Sequence, residues 1–159
     1  MCISQLIESN FLTIAPDALL SDAIALMGQK SSNTLSDCVL IIAEEQLVGI
    51  LTSENIIQSL AQGCDVTSTT VERVMQFPVI TLESCYCDNI LAIKSLIQQH
   101  GLRYLPILGK NKAILGIITA ENLLNFVNER DERQKTEELE RFFALNPSML
   151  CIAGFAPQG

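Results

Sequence analysis

The chain has 159 residues, enough for one core or for two small halves that share one. Nearly half of it is hydrophobic, which excludes disorder throughout, and with no Trp and few aromatic residues its core must be aliphatic. A formal charge of −8 argues against nucleic acid or an anionic membrane surface as a bulk partner, since both need clustered Lys and Arg; a locally basic pocket for a small anion stays open.

In chain order, Met1-Cys2-Ile3-Ser4-Gln5 lacks a basic region leading into an apolar stretch, so no signal peptide is expected. Thr13-Ile14-Ala15-Pro16-Asp17 leads into a helical pattern with Leu20, Ala23, Ile24 and Met27 on one face. Residues 28–37 read as a long polar loop, 39–42 as a short strand, 43–46 as a polar turn and 47–51 as a second strand. A helix then starts at a Thr52 or Ser53 cap, with Ile56, Ile57 and Leu60 on its apolar face. After a linker at 63–77 the order recurs. Val79-Ile80-Thr81-Leu82 precedes a helix with Ile90, Ile93 and Ile97 on one face, and strands follow at 104–108 and 114–118 around the turn 109–112. The closing helix is capped by Thr119 and carries Leu123, Leu124 and Val127. Neither run at 38–43 or 113–118 is long enough to span a bilayer, and a cytoplasmic location is expected.

The decisive feature is this repetition. Leu47-Val48-Gly49-Ile50-Leu51-Thr52-Ser53-Glu54-Asn55-Ile56-Ile57 returns as Leu115-Gly116-Ile117-Ile118-Thr119-Ala120-Glu121-Asn122-Leu123-Leu124, with Gly49 and Gly116 67 positions apart. Each half reads strand, helix, strand, strand, helix. Half of such a chain is too small to bury both faces of its sheet alone, so the expected fold is α+β: two tandem β-α-β-β-α repeats packed sheet to sheet, with an extended C-terminal helix. The boundaries read as repeat 1 at 1–62, linker 63–77, repeat 2 at 78–127, and a charged tail at 128–159. In that tail Glu129–Arg133 and Glu137–Arg141 are favourable i, i+4 pairs, and Leu139, Phe142 and Phe143 add an apolar stripe.

Thr13-Ile14-Ala15-Pro16-Asp17, the Asp22-Ala23-Ile24-Ala25-Leu26-Met27 helix and Val48-Gly49-Ile50-Leu51-Thr52 resemble a CBS domain. So do His100-Gly101-Leu102-Arg103-Tyr104-Leu105-Pro106-Ile107 and Leu115-Gly116-Ile117-Ile118-Thr119. The resemblance implies a tandem pair, or Bateman module, that regulates rather than catalyses. It also implies that the cleft between repeats holds an adenosine nucleotide such as AMP, ADP or ATP, with no cofactor required. In the family's Gly-h-x-Thr-x-x-Asp pattern, the Thr hydroxyl and helix-start N–H groups suit a phosphate, and the carboxylate suits two ribose hydroxyls. Here Gly49 with Thr52 and Gly116 with Thr119 fit, but Asn55 and Asn122 stand at the Asp positions. An amide offers one acceptor oxygen and no charge, so it is the weaker clamp; helix capping is its alternative role.

Arg103 lies where the family often places a basic residue facing phosphate, whereas the first repeat has Asp37-Cys38 there. The better ligand site is therefore that of Arg103, Thr119 and Asn122. Ile80 and Leu82, with Ile14 and Ala15 beside Thr52 and Asn55 in the first repeat, are candidate apolar contacts for a base or else core residues. His100 has no nucleophile or acid partner at a recognisable spacing, and His100-Gly101 reads as a structural turn. The six cysteines include no CxxC pair, so free thiols are expected in place of zinc or disulfides, with Cys85-Tyr86-Cys87 open to a redox role. Residues 141–155 resemble the entry into a PAS sensor domain. That implies the N-terminal part of a bacterial sensory protein with a downstream output domain, such as a histidine kinase or a diguanylate cyclase. The functional expectation is a homodimeric ligand-sensing module; the alternative is a ligand-free dimerisation scaffold. An enzyme finds no nucleophile–base pair or metal constellation here.

Overall fold

Turn chemistry and hydrophobic pattern build the first repeat. The computed structural model describes residues 3–29, 35–86, 89–127, 142–145 and 150–153. Strand β1 (Phe11–Ile14) is followed by helix α1 (Leu20–Gly28), strands β2 (Leu35–Ala43) and β3 (Gln46–Thr52), and helix α2 (Ser53–Ala61). The sheet order is β1-β2-β3, with β1 parallel to β2 and β2 antiparallel to β3. The hairpin between β2 and β3 is the two-residue turn Glu44-Glu45, both at positive φ (50° and 64°), the geometry that matches the right-handed twist of paired strands. Strand β2 begins earlier than its apolar run suggests: Leu35 pairs with Phe11 across a register shift, so the polar loop is shorter at its C-terminal end. Leu20, Ala23, Val39, Ile41, Leu51, Ile56, Val71 and Met75 form the core.

Val71 and Met75 belong to the stretch that reads in sequence as a linker. It is laced to the first repeat by main-chain hydrogen bonds: Leu20 N–H to Thr69 O (2.8 Å), Ser21 N–H to Val66 O (2.9 Å) and Val71 N–H to Ala18 O (2.9 Å). Asp65 starts this path with an Asx turn, accepting from the N–H and hydroxyl of Thr67, which holds its carboxyl below the usual range. The path ends by pairing Gln76 with Ile50 (3.1 and 2.8 Å), just before a cis Phe77–Pro78 peptide.

The second repeat runs β4 (Val79–Glu83), α3 (Ile90–His100), β5 (Tyr104–Leu108), β6 (Ile114–Thr119) and α4 (Ala120–Val127). Its sheet order is β6-β5-β4-β7, where β7 is Leu150–Ala153; β4 is parallel to β5 and β5 antiparallel to β6. Helix α3 starts on the Asn89 side chain, which accepts from Ala92 N–H (3.0 Å), and stops at Gly101 in the left-handed conformation (φ 60°), as the His-Gly turn predicts. Leu82, Ala92, Ile93, Leu96, Ile97, Leu105, Ile107, Ile118 and Leu123 form its core, and full burial of each large aliphatic side chain contributes about 1.5–3 kcal/mol. Phe142 and Phe143, edge-to-face at 6.0 Å, pack against that core.

The chain divides into two compact units: Asn10–Val79 makes up most of one, and Ile80–Cys151 with Met1–Ser9 makes the other. The N-terminal segment, counted in sequence with the first repeat, thus sorts with the second. The charged connector at 128–141 lies outside the described residues. Among the described residues no helix is long and apolar enough to cross a membrane.

Candidate functional site

Each repeat ends with a strand running into a helix, and the Thr-x-x-Asn motif sits at that junction. In the first repeat Thr52 is the cap and Ser53 the first helical residue. Thr52 Oγ1 accepts from Asn55 N–H (3.2 Å), while Asn55 Oδ1 accepts from both the N–H (2.9 Å) and the hydroxyl (2.8 Å) of Thr52. This is a closed capping box with Asn in the usual Glu or Gln role, and it occupies the amide oxygen that a ribose would need.

The second junction is wired differently. Asn122 N–H again meets Thr119 Oγ1 (3.2 Å), but the Asn122 Nδ2 donates to Glu8 Oε1 (3.4 Å). Glu8 is held there by its main chain, whose N–H and C=O pair with Ile117 at 2.8 and 3.0 Å. Arg103 is exposed immediately before β5, and its carbonyl accepts from Ala120 N–H (2.9 Å), so its main chain touches the start of α4. The main chain of Arg103 and the side chains of Thr119 and Asn122 therefore meet at one helix start, joined by a residue that the motif does not include.

The other candidates divide by burial. Leu82 is fully enclosed in the second core, where its role is packing; Ile80 is partly buried against the same core. Ile14 is half-buried against the first core and Ala15 is exposed at the end of β1. Asp37 is exposed within β2 beside Cys38, whose thiol is pushed up to about 12 by burial and by the Asp37 charge. Cys38, Cys64 and Cys85 are free thiols; Cys87 lies outside the described residues.

The motif glycines have a steric reason. A Cβ on Gly116 would lie 2.5 Å from the Glu8 carbonyl oxygen, and one on Gly49 would run into the Met75 side chain. Bare backbone lets a second segment lie against each strand. That segment, Ile7-Glu8 in one unit and Met75-Gln76 in the other, escaped the reading of the sequence. Its only signal was an apolar residue followed by an acid or its amide, shortly before each repeat's first strand.

The CBS domain family matches residues 3–62 and 71–129, the greater part of the chain. The chain belongs to the CBS domain family. CBS domain pairs are regulatory modules, not catalysts. Among curated proteins the pair is similar to the homoserine O-acetyltransferase of Methanococcus vannielii, 26% identical over 125 residues, covering 79% of this chain and 24% of that one. It thus spans about a quarter of the length of the first curated relatives it matches. Among solved structures it resembles the CBS domain pair of protein MJ0100 in complex with 5′-methylthioadenosine and S-adenosyl-L-methionine (TM-score 0.65, 20% identity, 79% of this chain and 94% of that one). It also resembles the cytosolic domain of the Mg2+ channel MgtE in complex with ATP (TM-score 0.64, 14% identity, 77% and 47%). At these identities the likeness concerns the CBS fold.

Proposed function

We propose that this CBS pair is a sensor whose second repeat binds an adenosine-type small molecule at the start of α4 and passes its occupancy to the protein it regulates. The observation that carries the reading is the meeting of the Arg103 main chain with the Thr119 and Asn122 side chains at one helix start, with a carboxylate added by Glu8. A cation and a hydroxyl suit a phosphate or other polar substituent; the amide and carboxylate suit hydroxyls. That MJ0100 and MgtE are described with adenosine-containing ligands supports the choice of ligand class.

The first half-site, with Thr52 and Asn55 satisfied by each other and Asp37 in place of Arg, is the empty one in this reading. Two chains associate as a homodimer, which light scattering at micromolar concentration tests. The output is a domain joined to the module, and the resemblance of 141–155 to a PAS entry makes a sensor kinase or cyclase the first to examine. A thermal-shift screen against adenine and guanine nucleosides and nucleotides tests the ligand reading. A ligand at about a hundred times its Kd adds roughly 2.7 kcal/mol to the folded state and must raise the melting temperature. No shift with any adenosine compound would leave the ligand-free scaffold as the function.

A further inference from the structure

The two motif asparagines are identical in sequence and opposite in orientation. The Thr52 N–H requires the oxygen of Asn55 to face inward. The Glu8 side-chain oxygen meets the nitrogen of Asn122, since two acceptor oxygens at that separation would repel. The Asn122 oxygen is thereby placed on the far branch of its amide, turned away from Glu8. One carboxylate oxygen of Glu8 takes a single N–H, and an ionised carboxylate has about four acceptor positions. The pair therefore presents an amide oxygen on one branch and, across the Nδ2–Oε1 contact, a partly used carboxylate, so that a carboxylate stands near the motif position where the family has Asp. In the first unit the residue paired to the equivalent strand is Gln76, which carries no charge.

We infer that Glu8, reaching in from the N-terminal segment, supplies the carboxylate missing from the Thr119-x-x-Asn122 motif, so that the Glu8–Asn122 pair is the specificity determinant for a ligand with a vicinal diol. This rests on the reading that the second repeat binds an adenosine-type molecule. Among the described residues the first repeat sets the uncharged Gln76 at the equivalent place, so the inferred diol site belongs to the second repeat.

Calorimetric titration of the full chain with adenosine and with 2′-deoxyadenosine tests this, because both probes are uncharged and differ by one hydroxyl. The wild-type chain should prefer adenosine by about tenfold, the usual worth of a charge-assisted hydrogen bond. Glu8→Gln keeps the main-chain pairing with Ile117 and should abolish the preference. Glu8→Asp, which keeps the charge but draws the carboxylate back by one methylene, should lose it too. Glu8→Gln combined with Asn122→Asp should recover it, because the carboxylate then returns at the motif position. Retention of the preference by either single variant, folded by circular dichroism, would overturn the role of Glu8 while leaving adenosine binding intact. No binding of adenosine to the wild-type chain would overturn both readings.

Discussion

Alanine at the two repeated glycines should expose the difference between a backbone neighbour and a side-chain neighbour. A Cβ on Gly116 would lie 2.5 Å from the Glu8 carbonyl oxygen, 2.5 Å from Ile7 Cγ2 and 3.0 Å from the Glu8 carbonyl carbon. Two of those atoms are main chain, so the clash is relieved only by withdrawing the segment from β6. Withdrawal breaks the two hydrogen bonds between Glu8 and Ile117, and Ile117 is fully buried. At about 1 kcal/mol for each bond and about 1–2 kcal/mol for polar groups left unsatisfied, Gly116→Ala should cost about 3–4 kcal/mol. The three atoms nearest to a Cβ on Gly49 all belong to the Met75 side chain, whose flexible thioether can swing aside with partial loss of its burial, for about 1 kcal/mol. Both substitutions stiffen the unfolded chain alike, so that contribution cancels between them. Urea denaturation followed by far-UV circular dichroism measures both. If Gly49→Ala costs as much as Gly116→Ala, the main-chain docking of Glu8 is not what the glycine serves.

Asn122→Asp alone, which the family motif suggests should improve the site, sets a second carboxylate about 3.4 Å from Glu8. At an effective dielectric between that of a protein surface and water this costs about 1–2 kcal/mol. The repulsion raises the folded-state pKa of the introduced carboxylate, so the penalty is absent at low pH and grows as pH rises through the carboxylate range. Thermal melts at pH 4 and pH 7 check this, and equal penalties at both would refute it. The Cys38 thiol, raised from about 9 to about 12 by burial and by Asp37, keeps its contribution below pH 9 and loses it as pH rises toward 12. Urea titrations in that window should show wild-type stability falling by up to about 1.4 kcal/mol per pH unit more steeply than that of Cys38→Ala. Parallel slopes would refute the assignment.

The repeat architecture is legible because its signals are local. Gly101 stops α3, Thr52 caps α2, and Ile93 and Ile97 face the second core at helical spacing. Periodicity misleads where a helix face is not wholly covered: Ile57 and Leu60 share the apolar side of α2 with Ile56, yet they are 65% and 48% exposed. The stretch 63–77 reads as linker because Thr67, Ser68, Thr69 and Thr70 carry a loop composition. Much of its attachment runs through main-chain bonds to Ala18, Pro16 and Leu20, which leave no mark on side-chain pattern, and its two core side chains, Val71 and Met75, are too few to show a period. The motif shows the loss of a carboxylate at position 122 but not its replacement, since Glu8 stands 114 residues away in the chain.

That separation bears on the order in which the molecule is assembled. Residues 10–79, a contiguous stretch, make most of one unit, and the Ile50–Gln76 pairing within it can form as soon as Gln76 has left the ribosome. The other unit joins residues 1–9 to residues 80–151, so the Glu8–Ile117 pairing waits until β6 has been made. The loop joining Glu8 to β6 is roughly fourfold longer than the one joining Gln76 to β3, which adds about 1 kcal/mol of closure entropy. A fragment carrying only the second repeat would lack the main chain that borders β6 and the carboxylate beside Asn122. It would keep the family motif and lose the environment in which that motif works.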